Sequence, residues 1–287
     1  MILEPDQIET EEVLSWEGLH LLHFHSSSCS QKVRILLREK VLKWTSHPIN
    51  LAREKHISSW FLGINPRGVV PVLVHDGVVH VESNDILEYL DALPSSTPSY
   101  FPKDPAQRDD VLANLDFEDS LHMDLRVITM GYVMPAGIVA KSKATLARWE
   151  RDGRDDPKRA LEVKWWRDFA KHGISVEVAR ASAEAHRSAF SNLETRLGES
   201  ATQGNKWISG ANIGALDLAW FITTTRLLAA GYPLDHHPRL AAWHDRLSQR
   251  PTFREETEGP TPLRLALVAY HAYRRFTGTR LSDVMTS

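Results

Sequence analysis

The chain has 287 residues, of which 42% are apolar and 25% are charged, and its formal net charge is -3. This composition is typical of a folded globular protein and argues against a mainly disordered chain. Lys+Arg (34) and Asp+Glu (37) nearly balance, so composition gives no basic field that would attract nucleic acid. No apolar run approaches the ~18 residues that a membrane span needs.

The cysteine count and the first residues of the chain bear on its location. Cys29 is the only cysteine, which excludes an intrachain disulfide and a cysteine-rich zinc cluster, and no metal site is predicted. One thiol suits a reducing compartment. Residues 1–17 are acidic and lack the basic and apolar regions of a secretion signal. We therefore expect a cytoplasmic protein whose residues 1–17 form a flexible, loosely attached arm.

Residues 18–94 have the pattern of a small α/β layer, which predicts an α/β N-terminal domain. The apolar run 19–24 predicts a buried strand, and helical spacing follows over 33–41. The segments that follow are a strand at 48–51, a helix at 54–62, strands at 69–74 and 78–81, and a helix at 83–93. Asp76-Gly77 between the last two strands predicts a hairpin.

The proline-rich segment 95–104 is predicted to be a linker between two domains. After it, helical spacing recurs near 105–131, 139–151, 157–170, 175–197, 214–230 and 237–249. Residues 105–287 are therefore predicted to form an all-α helical bundle with a C-terminal extension. Within that extension, 263–275 is amphipathic but too short to span a bilayer, so packing on the bundle is favoured over contact with a membrane.

Residues 26–30, Ser-Ser-Ser-Cys-Ser, lie where the first strand gives way to the first helix. The first turn of a helix has unpaired N–H groups and a positive dipole end, which favour an anion such as a thiolate. Ser27 could donate a hydrogen bond to that thiolate, and Cys29 could ionise there more easily than in bulk water. The alternative, equally favoured by the motif alone, is a capping serine beside a small buried cysteine.

Two later segments could bind a peptide-like ligand. A cis Val70–Pro71 bond would turn the backbone N–H and C=O of Val70 toward an extended ligand, although a trans proline at a strand start is commoner. Ser83 can cap the helix after it or hold a ligand carboxylate, and Glu82 can hold an amine. With the thiol site, these segments suit an extended tripeptide that has a central cysteine and a γ-linked glutamate.

Residues 19–93 resemble the thioredoxin-like domain of cytosolic glutathione transferases, and the resemblance extends through most of residues 19–255. Within that superfamily, Ser27-Ser28-Cys29-Ser30 resembles the zeta class and the reductive dehalogenases of chlorinated hydroquinones. Residues 65–68 resemble bacterial β-etherases, and residues 30–34 with 60–61 resemble ganglioside-induced differentiation-associated proteins. The matching text is Ser27-Ser28-Cys29-Ser30, Val33-Arg34, Ile64-Asn65-Pro66-Arg67-Gly68-Val69-Val70-Pro71-Val72-Leu73, Glu82-Ser83, Trp207-Ile208-Ser209-Gly210, Asp217, His237-Pro238-Arg239-Leu240, Trp243, Arg250-Pro251 and Phe253.

The resemblance implies the glutathione transferase fold, a homodimer and glutathione as co-substrate. It implies that Ser27 hydrogen-bonds the glutathione sulfur and that Val70 pairs with the cysteinyl backbone. Glu82 and Ser83 would then grip the γ-glutamyl end. The implied glutathione-binding residues are Ser28, His56, Val70, Pro71, Glu82 and Ser83, with His56 at the glycyl carboxylate. The alternative for His56 is a solvated surface histidine.

A second, apolar substrate is expected between the two domains. Its pocket is predicted to be lined by residues that suit a broad apolar site, namely Met123, Met130, Tyr132 and Met134. Trp165 and Trp166 could line the same pocket, but the bundle core is favoured for them. The charged segment 135–175 is predicted to cover the pocket mouth.

Two positions depart from the family pattern. Gln31 and Lys32 stand where zeta enzymes carry an aromatic residue or histidine and then arginine, which argues against maleylacetoacetate isomerase activity. Gly214 stands three residues before Asp217, where the family has a capping serine or threonine. Since glycine is an acceptable N-cap, the fold is expected to survive this change.

The leading functional hypothesis is that a glutathione thiolate stabilised by Ser27 attacks an apolar aromatic electrophile, an aryl ether or a halogenated aromatic. One alternative is reductive dehalogenation through a mixed disulfide between Cys29 and glutathione. Another is a glutathione-binding adaptor with little catalysis, suggested by the acidic arm and the basic-ended C-terminal helix. A general thiol-disulfide oxidoreductase is disfavoured because the motif lacks a second cysteine.

Overall fold

The computed structural model describes residues 1–152, 157–258 and 261–286. Its strands form one sheet in the order β1-β5-β4-β2-β3. β2 and β3 are parallel, and the other neighbours are antiparallel. The strands are β1 (Ile2–Leu3), β2 (Leu19–His23), β3 (Thr45–Pro48), β4 (Val72–His75) and β5 (Val78–His80).

The helices account for most of the remaining described residues. A π-helix (Thr129–Val133) follows the fifth α-helix, and short 3-10 helices lie at Pro5–Gln7, Glu11–Ser15 and Lys55–Ile57. The α-helices are α1 (Ser28–Glu39), α2 (Ser59–Leu62), α3 (Ser83–Ala92), α4 (Pro105–Ser120), α5 (His122–Ile128), α6 (Ala136–Val139), α7 (Lys143–Asp152), α8 (Pro157–His172), α9 (Val176–Thr202), α10 (Ala215–Ala229), α11 (Pro238–Ser248), α12 (Pro251–Thr257), α13 (Thr261–Thr277) and α14 (Leu281–Thr286).

The predicted fold class, an α/β N-terminal part followed by helices alone, is confirmed. Several boundaries differ from the prediction. The strand expected at 48–51 is Thr45–Pro48, and the helix expected at 54–62 is a 3-10 turn followed by α2. The helix is interrupted at Ser58, whose backbone is extended and whose side chain caps a new helix. Neither α12 nor α14 was expected as a separate helix.

The chain divides into two compact units by its contacts. The first comprises residues 1–119, 193–224 and 238–261, and the second comprises 120–192, 225–237 and 262–287. The boundaries between them fall within α4, α9, α10 and α13 and just before α11, whereas the predicted boundary is the segment 95–104. In the first unit, Tyr100 and Phe101 of that segment are buried, and their backbone N–H groups donate to the carboxylate of Asp91 at 2.9 and 3.1 Å.

The sheet of the first unit is buried on both faces. Val72 and Val74 of β4 lie in an apolar cluster with Leu22 of β2 and Phe61 of α2. Since alternate residues of a strand point to opposite faces, Leu73 points the other way, and it too is fully buried. The β4–β5 turn is the predicted two-residue hairpin: Asp76 and Gly77 have φ values of 49° and 79°, and a type I′ turn requires both to be positive.

Residues 1–17 are not the loosely attached arm that their composition suggests. β1 pairs with β5, and Ile8 and Val13 are buried in the apolar cluster on the sheet. The backbone of the segment passes so close to the β4–β5 turn that a Cβ on Gly77 would lie 2.2 Å from the carbonyl oxygen of Leu14. The segment is therefore part of the first unit, and the expectation of a flexible arm is wrong.

Asp217 is a fully buried carboxylate in the first unit that accepts four hydrogen bonds. Burial raises its pKa, although the hydrogen bonds favour the ionised form. A Cβ on Gly214 would lie 2.6 Å from the side-chain oxygen of Ser209, so the glycine fits where a serine or threonine would clash. The donors to Asp217 are the N–H groups of Ile208 (2.9 Å), Ser209 (3.2 Å) and Gly214 (3.0 Å) and the indole Nε1 of Trp243 (2.7 Å).

Among its described residues, the second unit contains helices and no strand. Ser182 of α9 donates to Asp124 of α5 at 2.7 Å. Trp166 is buried beside Phe169 on α8, as the bundle-core interpretation predicts, whereas Trp165, for which the core was also favoured, is half-buried. In α13, His271 donates to the carbonyl of Val133, and Arg274 donates to that of Gly131. This C-terminal helix therefore packs within its unit. No helix among the described residues is long and apolar enough to cross a membrane.

We expect Val13→Ala to lower the free energy of unfolding by about 2 kcal/mol, because it leaves a cavity in the apolar cluster. Val178→Ala, at an exposed position of α9, is the matched control and should change it by less than about 0.5 kcal/mol. Urea denaturation measures both. Equal effects for the two variants would contradict the attachment of the N-terminal segment.

Candidate active site

Three of the predicted site segments meet at one end of the sheet, hereafter the site end. Leu22, near the end of β2, pairs with Val72, the first residue of β4. His80, the last residue of β5, pairs with Leu73 of β4. The residues that follow β2, precede β4 and follow β5 therefore lie next to the adjoining ends of three neighbouring strands, which together span about 10 Å. β3 ends at the same place, since His23 pairs with Pro48.

Ser27 is the N-cap of α1, immediately beyond the end of β2. Its Oγ accepts a hydrogen bond from the N–H of Ser30 at 3.3 Å, and its backbone N–H donates to the carbonyl of Phe24 at 3.1 Å. Because Oγ is the acceptor in the first contact, the O–H hydrogen of Ser27 is not used in it. Ser28 is the first helical residue, whose N–H has no acceptor within an α-helix.

Cys29 lies in the first turn of α1 and is partly exposed. Lys32, one turn later, is buried and donates to the amide oxygen of Asn84 at 2.7 Å. Burial alone would lower the pKa of Lys32, but Glu118 and then Cys29 raise it, so the ammonium is favoured overall. A buried cation therefore lies near the thiol, in the position where the zeta class has arginine.

Val70 and Pro71 lie just before β4, and the peptide bond between them is cis. Both residues are buried. The amide of Asn65 donates to the carbonyl of Val69 at 2.9 Å and so fixes the backbone on one side of Val70. Within the part of the chain that the structure describes, no hydrogen bond uses the backbone N–H or C=O of Val70. These groups have the polarity that an extended peptide ligand needs.

Glu82 precedes α3 and has φ 64° and ψ 117°, a conformation that is rare for residues other than glycine. Such a backbone costs of order 1–3 kcal/mol and is concentrated at functional sites. The carboxylate of Glu82 forms an ion pair with Arg67, which the sequence motif included but to which no role was assigned. Ser83 begins α3 and is almost fully buried, so its N–H lies at the positive end of that helix.

The remaining predicted site residues lie outside these three segments. His56 is half-buried in the 3-10 turn that follows β3. Met130 and Tyr132 belong to the π-helix of the second unit. Tyr132 is buried there, and the centroid of its ring lies 4.3 Å from Cζ of the Arg274 guanidinium. Met134 follows the π-helix, and Met123 is half-exposed on α5. A pocket formed by these four residues stays a prediction.

His23 is the last residue of β2 and lies four residues before Ser27 in the chain. Arg34 donates to its Nδ1 at 3.0 Å, and its Nε2 lies 2.8 Å from the hydroxyl of Ser46. Because a guanidinium only donates, Nδ1 accepts and the ring proton is on Nε2. Burial and the neighbouring Arg34 lower the pKa of His23 to about 4.

Comparisons with known proteins identify the family that the chain resembles. Residues 26–93 match the family model of the glutathione S-transferase N-terminal domain. Protein LigF from Sphingobium sp. strain SYK-6 is 28% identical over 84% of this chain and 93% of its own length. The crystal structure of the β-etherase LigF from that strain superposes with a TM-score of 0.71 at 26% identity, covering 84% of this chain and 99% of the other.

A maleylacetoacetate isomerase from Mus musculus is 37% identical over 31% of this chain, a match that spans only 41% of the isomerase. The family model, the full-length relative and the superposed structure all point the same way. The chain belongs to the glutathione transferase superfamily and has β-etherase-like features. It is a glutathione transferase-like enzyme, and this family uses glutathione as a substrate.

The lowered pKa of His23 predicts a pH dependence of stability. The unfolded chain takes up the proton near pH 6.5, whereas the folded chain takes it up only near pH 4. Stability therefore falls as the pH drops from about 6.5 to about 4. His23→Gln keeps an acceptor for Arg34 and a donor for Ser46 but does not titrate. We expect a shallower decline for this variant in urea denaturation across that range, and identical slopes would contradict the assignment.

Proposed function

We propose that the site end of the sheet binds glutathione and that the hydroxyl of Ser27 hydrogen-bonds its sulfur. The observation that carries this proposal is the N-cap geometry of Ser27, whose Oγ accepts from Ser30 and so keeps the hydroxyl at the first turn of α1. The O–H hydrogen can then donate to a thiolate. The positive end of α1 lowers the energy of the same anion.

Serine acts here as a donor and not as a base. A free thiol has a pKa near ~8.5, so only a few per cent is ionised at pH 7. Each unit by which the site lowers the thiol pKa raises the thiolate fraction by up to ~10-fold. A hydrogen bond to a charged group contributes roughly 1.5–3 kcal/mol, which corresponds to about 1–2 pKa units.

The rest of glutathione would be held by the neighbouring segments. The backbone groups of Val70 suit the cysteinyl residue, and the N-terminus of α3 at Ser83 suits the γ-glutamyl carboxylate. Arg67 engages one carboxylate oxygen of Glu82, which leaves the other for the γ-glutamyl ammonium. Ser28, Pro71 and His56 complete the proposed set, with His56 at the glycyl carboxylate.

We propose an aromatic electrophile as the second substrate, because 84% of this chain is similar to the β-etherase LigF. With an aryl ether, the thiolate attacks the carbon that bears the ether oxygen. The C–S bond forms as the C–O bond breaks, and the departing phenolate takes a proton from water. A halogenated aromatic would lose halide instead. Met123, Met130, Tyr132 and Met134 remain the proposed apolar lining, and the homodimer and the cytoplasmic location also remain proposals.

We expect Ser27→Ala to raise the thiol pKa of bound glutathione by about 1–2 units, as the loss of one charged hydrogen bond implies. Thiolate absorbance of the complex near 240 nm, followed over pH, measures this. Ser27→Thr, which keeps the hydroxyl, should retain the wild-type value.

Loss of a helix cap alone is controlled by Ser58→Ala. Ser58 caps α2 as Ser27 caps α1, with its Oγ accepting from Phe61 at 3.3 Å. Its removal should cost a similar 0.5–2 kcal/mol of stability and leave the thiol pKa unchanged. If Ser27→Ala behaves like Ser58→Ala, the role proposed for Ser27 is wrong.

The second candidate function, reductive dehalogenation, is favoured by the position of Cys29 in the first turn of α1, near the buried Lys32. Glutathione first displaces halide from the aromatic ring. The Cys29 thiolate then attacks the sulfur of this conjugate, forming a mixed disulfide, and the aryl carbanion takes a proton. A second glutathione releases oxidised glutathione and restores the thiol, so two electrons pass from two thiols to the substrate.

Cys29→Ala separates the two functions. Aryl ether cleavage should stay within about twofold of wild type, because the proposed displacement does not use this thiol. Reductive dehalogenation of a chlorinated hydroquinone should stop at the glutathione conjugate, which mass spectrometry detects. If the wild-type protein is retained on glutathione resin but converts neither substrate, a glutathione-binding adaptor is favoured instead.

A further inference from the structure

Arg34 places a guanidinium beneath the loop that carries Ser27. The side chain is 4% exposed, and it extends from α1 toward the end of β2. Its terminal nitrogens donate to the carbonyl oxygens of Phe24 at 3.1 Å and His25 at 2.8 Å, and also to Nδ1 of His23. One side chain thus satisfies three successive residues of the strand end and loop.

The same contacts reach Ser27 directly. The carbonyl of Phe24 accepts from Arg34 and, at 3.1 Å, from the backbone N–H of Ser27. The N–H of Phe24 donates to the hydroxyl of Ser30, the residue whose own N–H is capped by Ser27. The turn from β2 into α1 is therefore closed by hydrogen bonds that share Phe24.

Glu256 of α12 balances the charge of Arg34. Its carboxylate accepts from Nε of Arg34 at 2.8 Å and lies 3.5 Å from Arg38, and both Arg34 and Glu256 are buried. Its backbone carbonyl accepts from the amide of Gln31 at 2.6 Å. Because the pair is neutral, Arg34 adds little net field at the site. What it does supply is a planar set of donors with fixed directions.

We propose that Arg34 is a positioning residue for the sulfur site, holding residues 24–27 so that the Ser27 hydroxyl stays aimed at the bound sulfur, with Glu256 keeping the buried charge neutral. This inference rests on the proposed function. A donor must be held to within roughly 0.5 Å to stabilise an anion well, and loops rarely reach that precision without support from neighbouring side chains. Arg34 provides that support from a rigid helix.

The test measures the thiol pKa of bound glutathione in Arg34→Met. We expect a rise of about one unit and therefore a roughly tenfold loss of kcat/KM below pH 7, with a smaller change in the KM for glutathione. Arg34→Lys keeps the charge but presents a single nitrogen that cannot reach three acceptors in the same directions. Arg34→Lys should therefore also raise the thiol pKa, by most of the unit expected for Arg34→Met. Full rescue by lysine would show that charge alone matters and would overturn the proposal.

Two further variants separate positioning from folding. Arg34→Met combined with Glu256→Leu replaces the buried pair by apolar side chains of similar size, a change that proteins often tolerate. It should fold and still show the raised thiol pKa. Lys40→Met breaks another buried ion pair, between the residue that caps the C-terminus of α1 and Asp91 at 2.9 Å, and should lower stability without moving the thiol pKa.

Each outcome decides one of the two claims. If the wild type binds glutathione with a lowered thiol pKa, and the double variant matches it, Arg34 has only a structural role and the inference fails. The same holds if Arg34→Met and Lys40→Met are indistinguishable. If the wild type binds no glutathione, the proposed function fails first and this inference falls with it.

Discussion

The chain must turn from a buried strand into a buried helix at residues 24–27, and every backbone polar group of that turn must find a partner. The Oγ of Ser27 accepts from a backbone N–H in the first turn of α1, and the guanidinium of Arg34 donates to the carbonyls of Phe24 and His25. This solution leaves a hydroxyl and a positive helix end facing outward together. The proposed chemistry depends on that arrangement.

The sheet brings three ordinary local features together at one end. A capping serine, a proline before a strand and a glutamate before a helix each have a plain structural explanation. The antiparallel register of β4 with β2 and β5 places all three at the same end of the sheet. The charges there are largely paired: Arg67 with Glu82, and Arg34 with Glu256. The first pair is half-exposed and the second is buried, so only the first is readily rearranged by a ligand.

Local signals made much of this predictable from the sequence. Asp76-Gly77 specifies a tight hairpin, and the serines after an apolar run specify a helix start. The N-terminal segment was misjudged because it forms a two-residue strand and two short 3-10 turns, which leave no periodic apolar pattern. Yet its Ile8 and Val13 are core residues.

Contacts between residues far apart in the chain could not be predicted from local sequence patterns. Arg34 and Glu256 are separated by 222 positions, and a helical arginine ordinarily faces solvent. The strained backbone of Glu82 follows from the path of the chain between β5 and α3, and no residue type announces it. The glycine at position 214 is explained by Ser209, which is five residues away and whose side-chain oxygen would lie 2.6 Å from a Cβ at that position.

The central claim is that glutathione loses its thiol proton when it binds next to Ser27. Titration calorimetry at pH 7 in two buffers of different ionisation enthalpy counts the protons released. The account predicts release of roughly 0.2–0.7 proton per glutathione, since a thiol pKa lowered by about 1–2 units from ~8.5 ionises that share of the bound thiol at pH 7, and none with S-methylglutathione. Binding of glutathione with no proton release would contradict it.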